Sequence, residues 1–200
     1  MRSQAEAKFA ASYLKRAHCD LKKVQFVVHP TNRGWTRDSG PIHVIKAESG
    51  KRKAEKAIVH FHFNAWAKYS NWQLDTKVPE TAAALLKRPL FDAQFNGKKF
   101  VIEGGGIEVN GRGTLLTTEE CYQHPSIQVR NKGMTKAQYD AQFKKYLGVK
   151  NVLWLVAGPV GDDTHGHIDD ICRFTDHKTL VLIKETNKKD PNYKPLAENW

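Results

Sequence analysis

The sequence is short of sulfur, of long apolar runs and of acids. Of its 200 residues, three are cysteine and two methionine. No stretch approaches the roughly 20 apolar residues that cross a bilayer as a helix. Met1-Arg2-Ser3-Gln4-Ala5-Glu6 opens without an apolar signal segment. The expectation is therefore a protein with no membrane partner and a cytoplasmic location. Cys19, Cys121 and Cys172 are scattered, odd in number and without CxxC spacing, which argues against a disulfide framework and for a reducing compartment. The 21 acids are outnumbered by 32 Lys and Arg, for a net charge of +11. The basic residues are dispersed, with small knots at Lys51-Arg52-Lys53 and Lys188-Lys189, and aromatics do not interleave with them as a stacking platform requires. This reads as a solvated basic surface with no nucleic-acid partner.

The length suits one domain with a packed core. Apolar periodicity predicts helices over 7–15, 81–86 and 136–147. It predicts strands over 24–29, 42–45, 57–63, 99–102, 107–109, 114–117, 151–156, 169–174 and 179–183. Asn110-Gly111 signals a hairpin. Helix and strand stretches recur, and the helices over 7–15 and 136–147 even end alike, in Tyr13-Leu14 and Tyr146-Leu147. This suggests modules packed around an axis. Lys194 to Trp200 reads as a helix that stops within its first turns.

One segment concentrates chemistry: Gly161-Asp162-Asp163-Thr164-His165-Gly166-His167-Ile168-Asp169-Asp170. Four carboxylates and two imidazoles in ten residues form a solvated acidic loop, a metal site, or a receptor for a cation. In an extended strand, alternation puts His165, His167, Asp169 and Ile171 on one face and Ile168, Asp170 and Cys172 on the other. A second constellation, Thr31-Asn32-Arg33-Gly34-Trp35-Thr36-Arg37-Asp38-Ser39-Gly40-Pro41, joins an aromatic ring to a carboxylate and a Gly-Pro turn. A third, Glu103-Gly104-Gly105-Gly106, sets a carboxylate before three glycines. It lacks the following helix and the lysine of a phosphate cradle. The run from His165 to Asp170 also resembles the HxHxDH signature of metallo-β-lactamase-type hydrolases, with Asp170 in place of the last histidine and only His177 downstream. A zinc site would draw on these imidazoles and carboxylates, so a metallo-hydrolase stands as an alternative.

Taken together and in this order, the constellations resemble the agmatine deiminase family, also called the Porphyromonas-type peptidyl-arginine deiminase family. The matching segments are Thr31–Val44, Phe63–Tyr69 (FNAWAKY), Ile102–Cys121 (IEGGGIEVNGRGTLLTTEEC) and Val152–Phe174 (VLWLVAGPVGDDTHGHIDDICRF), with Asn192–Asn199 also similar. The resemblance implies an α/β pentein propeller of five ββαβ-type modules, about three of them within this sequence. It implies hydrolysis of a guanidinium to a ureido group plus ammonia, as in conversion of agmatine to N-carbamoylputrescine for putrescine biosynthesis, with no cofactor and no metal. A flat cation with paired N–H donors suits carboxylates that grip it bidentately.

Carried over residue by residue, the family's gripping acids fall on Asp38 and Asp169, and its general acid/base on His167. Glu103 becomes a second carboxylate near the imidazole. Trp35 would stack on the guanidinium plane or wall the pocket. The family's nucleophilic cysteine lies in a Gly-rich motif that this sequence does not contain, and Arg33-Gly34 stand where many members carry an acid. The expectation is a single partial deiminase domain over residues 1–200, truncated before the cysteine module and inactive alone. Its partner would be a small cationic guanidino substrate, agmatine before peptidyl-arginine. The alternatives are a non-catalytic guanidinium-binding fragment and the metallo-hydrolase. Open sheet edges would favour self-association into a homo-oligomer.

Overall fold

The computed structural model describes residues 1–46 and 55–200; the Lys51-Arg52-Lys53 knot lies outside them. Helix α1 (Gln4–Arg16) starts where the Ser3 side chain accepts from the Glu6 backbone N–H and ends on Lys15 and Arg16, which complement its dipole. The strand expected over 24–29 does not form. The run is β-branched but pairs with no strand among the described residues. Its backbone bonds go to Met1 instead, from the His29 N–H to the Met1 carbonyl (2.8 Å) and from the Met1 amine to the Val27 carbonyl (3.1 Å). A short helix α2 (Thr36–Ser39) then leads into the first sheet.

Strands β1 (Ile42–Lys46) and β2 (Glu55–His60) pair antiparallel, with Ile42 opposite Val59. Helix α3 (Val78–Leu86) crosses over, and β3 (Leu90–Asp92) pairs parallel to β2. Ala57 to His60 are buried without a break, as expected for a strand covered on both faces. A two-stranded hairpin follows, β4 (Gln94–Phe95) and β5 (Lys98–Lys99). Its turn residues Asn96 and Gly97 both have positive φ, as a type I′ turn requires.

The same plan then recurs. Strands β6 (Glu108–Val109) and β7 (Thr114–Thr118) pair antiparallel. Helices α4 (Glu119–Gln123) and α5 (Lys136–Leu147) cross over, and β8 (Asn151–Leu155) pairs parallel to β7. A Thr135–Gln138 capping box starts α5, and Gly148 at φ +67° ends it. The hairpin β9 (Cys172–Phe174) and β10 (Leu180–Leu182), then α6 (Tyr193–Ala197), complete the described chain.

The hairpin expected at Asn110-Gly111 forms, joining β6 to β7, whereas two expected strands are cut short. The Asn110-Gly111 connection spans four residues, closed by Asn110 Oδ1 accepting from the Arg112 and Thr114 N–H groups. Of the strand expected over 99–102, only Lys99 joins a ladder, while Val101 makes a single bridge to His62. The strand expected over 169–174 shrinks to β9, because residues 168–170 form a 3₁₀ turn.

Strand β7 divides the interior. Leu115 faces the main core of Val59, Phe61, Phe100, Ile102, Tyr139 and Phe143. Leu116, on the opposite face, packs with Ile168, Ile171, Cys172 and Leu196. Tyr139 and Phe143, fully buried on α5, each contribute about 2–3 kcal/mol of burial. The second cluster matters more for function. Ile168 is locked into it, and the residue before Ile168 is His167. The short α6 is anchored there by Leu196, and by Asn199, whose side chain bonds the Val156 N–H and the Ala157 carbonyl.

Candidate active site

Four chain segments meet around the His167 ring. Asp38 reaches it from α2. The loop before α2 is clamped by the fully buried Asp75 carboxylate, which accepts from the N–H groups of Asn32 (2.8 Å), Arg33 (3.1 Å) and Gly34 (2.9 Å). Asp38 itself accepts from the Gly105 N–H (3.1 Å) and from Trp66 Nε1 (3.3 Å). Three consecutive residues, Ala65, Trp66 and Ala67, have φ between +51° and +59°, a costly left-handed run that delivers the indole to that carboxylate.

Glu103 arrives from the segment after β5 and is fully buried. Arg130 Nε lies 3.1 and 3.2 Å from its two oxygens. The other arginine nitrogens donate to the Gln128 and Thr164 carbonyls, which ties the Glu103 segment to the His167 loop. The glycines after Glu103 permit close approach. A Cβ on Gly105 would lie 2.4 Å from His167 Nδ1 and 2.8 Å from Asp38 Oδ1.

The His167 loop folds around its own carboxylate. Asp162 accepts from the N–H groups of Thr164, Gly166 and His167. His167 is 2% exposed. Its Nδ1 lies 3.7 Å from Asp38 Oδ1 and 3.9 Å from Asp169 Oδ1, and its Nε2 lies 3.6 Å from Glu103 Oε2. These are ion-pair rather than hydrogen-bond distances. His167 and Asp169 therefore meet, although not by strand alternation: the 3₁₀ turn brings them together and leaves Cys172 in the second core cluster.

Burial opposes charging of His167, but Glu103 and Asp38 outweigh it and raise the imidazole above its ordinary value. Burial would also lift Glu103, yet Arg130 and His167 hold it below the usual carboxylate range. For Asp38 burial prevails over the attraction of His167, with Glu103 adding to it, and the carboxyl is raised. The pocket thus couples a charge-prone imidazole to a carboxylate that lacks a full counter-charge.

Asp38 and His167 form the floor of a cavity of about 280 Å³ walled by Trp35, Trp66, Tyr69 and Asp169, while the fully buried Glu103 is not part of its lining. Trp35 is largely exposed and meets Trp66 edge-on at 6.5 Å. Asp38, Glu103, His167, Asp169 and Trp35 are therefore brought together. His165 is not. Its ring turns to Glu120 and His124, away from His167. The HxHxD ligand set consequently does not converge, which removes the metallo-hydrolase alternative. Among the described residues, one buried group has metal-ligand spacing: Glu103, Cys121 and His167. It fits a divalent ion poorly. Arg130 already neutralises Glu103, and burial pushes the Cys121 thiol well above its ordinary value.

Sequence reasoning missed Arg130, Asp75, Trp66 and Arg37. Trp66 stood within FNAWAKY but carried no role. Asp75 and Arg130 are single charges in polar stretches, and nothing local marks them as buried.

A family model described as Porphyromonas-type peptidyl-arginine deiminase matches residues 2–200. The chain belongs to this family. Among curated relatives, the agmatine deiminase of Pseudomonas syringae pv. tomato is 35% identical over 183 residues, covering 89% of this chain and 46% of the relative. That of Medicago truncatula is 36% identical, covering 88% and 48%. A Cys-to-Ser variant of C. jejuni agmatine deiminase, solved with substrate bound, superposes with a TM-score of 0.79 at 30% identity over 98% of this chain and 53% of that one. The chain spans about half the length of the curated relatives it matches. Its α/β fold is that of the deiminase structures, and among the described residues no helix is long and apolar enough to cross a membrane.

Proposed function

We propose that this chain supplies the guanidinium-binding and proton-handling part of an agmatine deiminase-type hydrolase. The observation that carries the reading is His167, an almost fully buried imidazole within 4 Å of Asp38 and Glu103 from two distant segments and of Asp169 from its own loop, on the floor of an aromatic-walled cavity. A planar cation placed there would receive Asp38 and Asp169 on its N–H edges and an indole on a wall. Its positive charge would also favour ionisation of Asp38, so affinity should fall as pH drops through the raised Asp38 value.

In this reading a thiolate attacks the guanidinium carbon, breaking its C=N character to give a tetrahedral adduct. His167 then protonates the departing ammonia. Next it takes a proton from the water that releases the ureido product and regenerates the thiolate. Glu103, fixed by Arg130, keeps His167 charged for the first step. The chain's own cysteines are poor candidates for the thiolate. Cys121 and Cys172 are buried with thiols pushed up by burial, and Cys19 is exposed beyond α1, with none of the three lining the cavity.

We therefore propose that residues 1–200 act as one partial deiminase domain, with the nucleophile supplied from outside them. The repeated units β1-β2-α3-β3 and β6-β7-α5-β8, with β9-β10 opening another, would be about three of five modules in a propeller. Cytoplasmic location, a small guanidino substrate and self-association through sheet edges complete the proposal. Peptidyl-arginine is the second substrate reading, since Arg33 on the cavity wall does not suit a distal ammonium.

Titration calorimetry with agmatine tests the reading. The wild-type chain should bind at millimolar ligand or below, and Asp38→Asn should weaken binding at least tenfold without lowering the melting temperature. Ammonia release by the 200-residue chain should be undetectable. An absence of binding to the wild type, or turnover abolished by Cys121→Ala or Cys172→Ala, would overturn it.

A further inference from the structure

A carboxylate grips a guanidinium best with both oxygens, two parallel N–H···O bonds to one planar fork. Asp169 does not offer both. Its Oδ1 faces His167 Nδ1 at 3.9 Å, while its Oδ2 lies 3.4 Å from Nε of Arg37. Arg37 lines the same cavity. The chemical group standing at Asp169 is thus the group that the cavity is proposed to take, contributed by the chain itself.

Arg37 is held loosely there. Its backbone is fixed by Asp38 next to it and by the contact of its carbonyl with Gly104, where a Cβ would come within 2.0 Å. Its side chain is half exposed. A second anion lies within reach: Glu108 Oε2, on β6, is 3.9 Å from Arg37 Nη2. Glu108 is itself steady. It is largely buried, accepts from the Phe174 N–H (3.1 Å) and pairs with Arg173 at 3.2 Å. Two carboxylates flank one half-exposed guanidinium, one at the site and one just outside it.

Resting on the guanidinium reading of the site, we propose that Arg37 is an exchangeable internal occupant: it caps Asp169 in the empty site and moves onto Glu108 when a substrate guanidinium arrives. The contact tunes selectivity. A ligand with a lone ammonium offers Asp169 one point charge in exchange for the arginine contact it displaces. A guanidinium replaces that contact with a two-bond fork. No bond is made or broken in the exchange, and charge at Asp169 stays balanced throughout.

The test is calorimetric titration of the full chain with methylguanidinium chloride at fixed ionic strength, in the wild type, Arg37→Met, Glu108→Gln and the double variant, with Asp169→Asn alongside. Arg37→Met should tighten binding about fivefold, the equilibrium equivalent of one exposed ion pair. Glu108→Gln should weaken it by a similar factor, and that effect should vanish once Arg37 is Met. Asp169→Asn should abolish binding. If Arg37→Met weakens binding or leaves it unchanged while Asp169→Asn still abolishes it, the exchange is wrong and the guanidinium pocket stands. If methylguanidinium binds neither the wild type nor Arg37→Met, the pocket reading falls and the exchange with it. A measurement on the wild type alone guards against a variant that fails to fold: the Arg37 Nε–H resonance should shift on saturation with methylguanidinium, and an unmoved resonance overturns the proposal.

Discussion

Two arginine–carboxylate pairs flank His167, and their surroundings make them opposites. On one side Arg130 and Glu103 are both fully buried, 3.1 Å apart, with the remaining guanidinium nitrogens bound to the Gln128 and Thr164 carbonyls. On the other, Arg37 reaches Asp169 at 3.4 Å from a half-exposed position and has a second anion within reach. The chemistry is the same. Burial decides whether the pair is a permanent clamp or a replaceable counter-ion. The buried pair fixes where Glu103 and the His167 loop sit and which protonation state the imidazole prefers. The exposed pair leaves a carboxylate that can change partners at little cost. Under the proposed function, a site that holds one proton carrier rigid and admits one cation uses both kinds.

The comparison breaks most visibly if the buried pair is cut. Arg130→Met leaves buried Glu103 with only the His167 imidazole to balance it and two carbonyls without donors, so we expect a loss of about 3–5 kcal/mol in urea unfolding at neutral pH. The pH profile should reverse as well. In the wild type the Glu103 value is held below its ordinary 4.5, so its contribution is present above about 4.5 and is lost as pH falls through the lowered value. Without Arg130 only His167 opposes burial, and the value rises. The variant should then be more stable in mild acid than at neutrality, recovering stability as pH falls through the raised value. A variant that loses stability on acidification just as the wild type does would show that Arg130 is not what holds Glu103 ionised.

Gly105 lies between the two halves of the site, and a methyl group there tests whether they must touch. The substitution meets side-chain atoms of both His167 and Asp38 at less than 3 Å. The strain is in packing, since Gly105 is not among the residues with positive φ. We expect Gly105→Ala to cost about 1–3 kcal/mol of stability and to abolish agmatine binding by parting His167 from Asp38. Retained affinity in a folded variant would mean that this contact is dispensable.

How much of this was legible beforehand depended on whether the signal was local. Helix α5 shows in the apolar periodicity, and the structure places it over the expected 136–147, started by a Thr135–Gln138 capping box and ended at Gly148. Asp38, Glu103, His167 and Asp169 lay in clusters of carboxylates and imidazoles beside glycines, and the resemblance to the deiminase family singled them out. Residues 168–174 misled for a physical reason. Ile168 and Ile171 enter the same core cluster, a spacing of three that requires a turn, where period-two reading assigns them to opposite faces. Residues 24–29 have strand composition, but composition without a neighbouring ladder forms no strand. Arg130 carried no signal at all. A lone arginine in a polar loop is ordinarily solvated, and only the fold reveals that it faces Glu103 across 27 residues of sequence.

The smallest effect is the most discriminating. Arg37→Met removes the charge of the exposed pair and keeps an unbranched stem where the Arg37 side chain runs past Gly104. We expect unfolding free energy to change by about 0.5 kcal/mol or less, since a half-exposed pair gains little over its hydrated parts. Raising salt from 0.05 to about 0.5 M should shrink even that difference, because screening reaches a pair at the cavity mouth, whereas the cost of Arg130→Met should barely respond. If Arg37→Met instead costs as much as Arg130→Met, Arg37 is a structural clamp in its own right. The contrast between a fixed arginine and an exchangeable one would then collapse, because a residue that the fold cannot release from Asp169 cannot yield its place to a substrate.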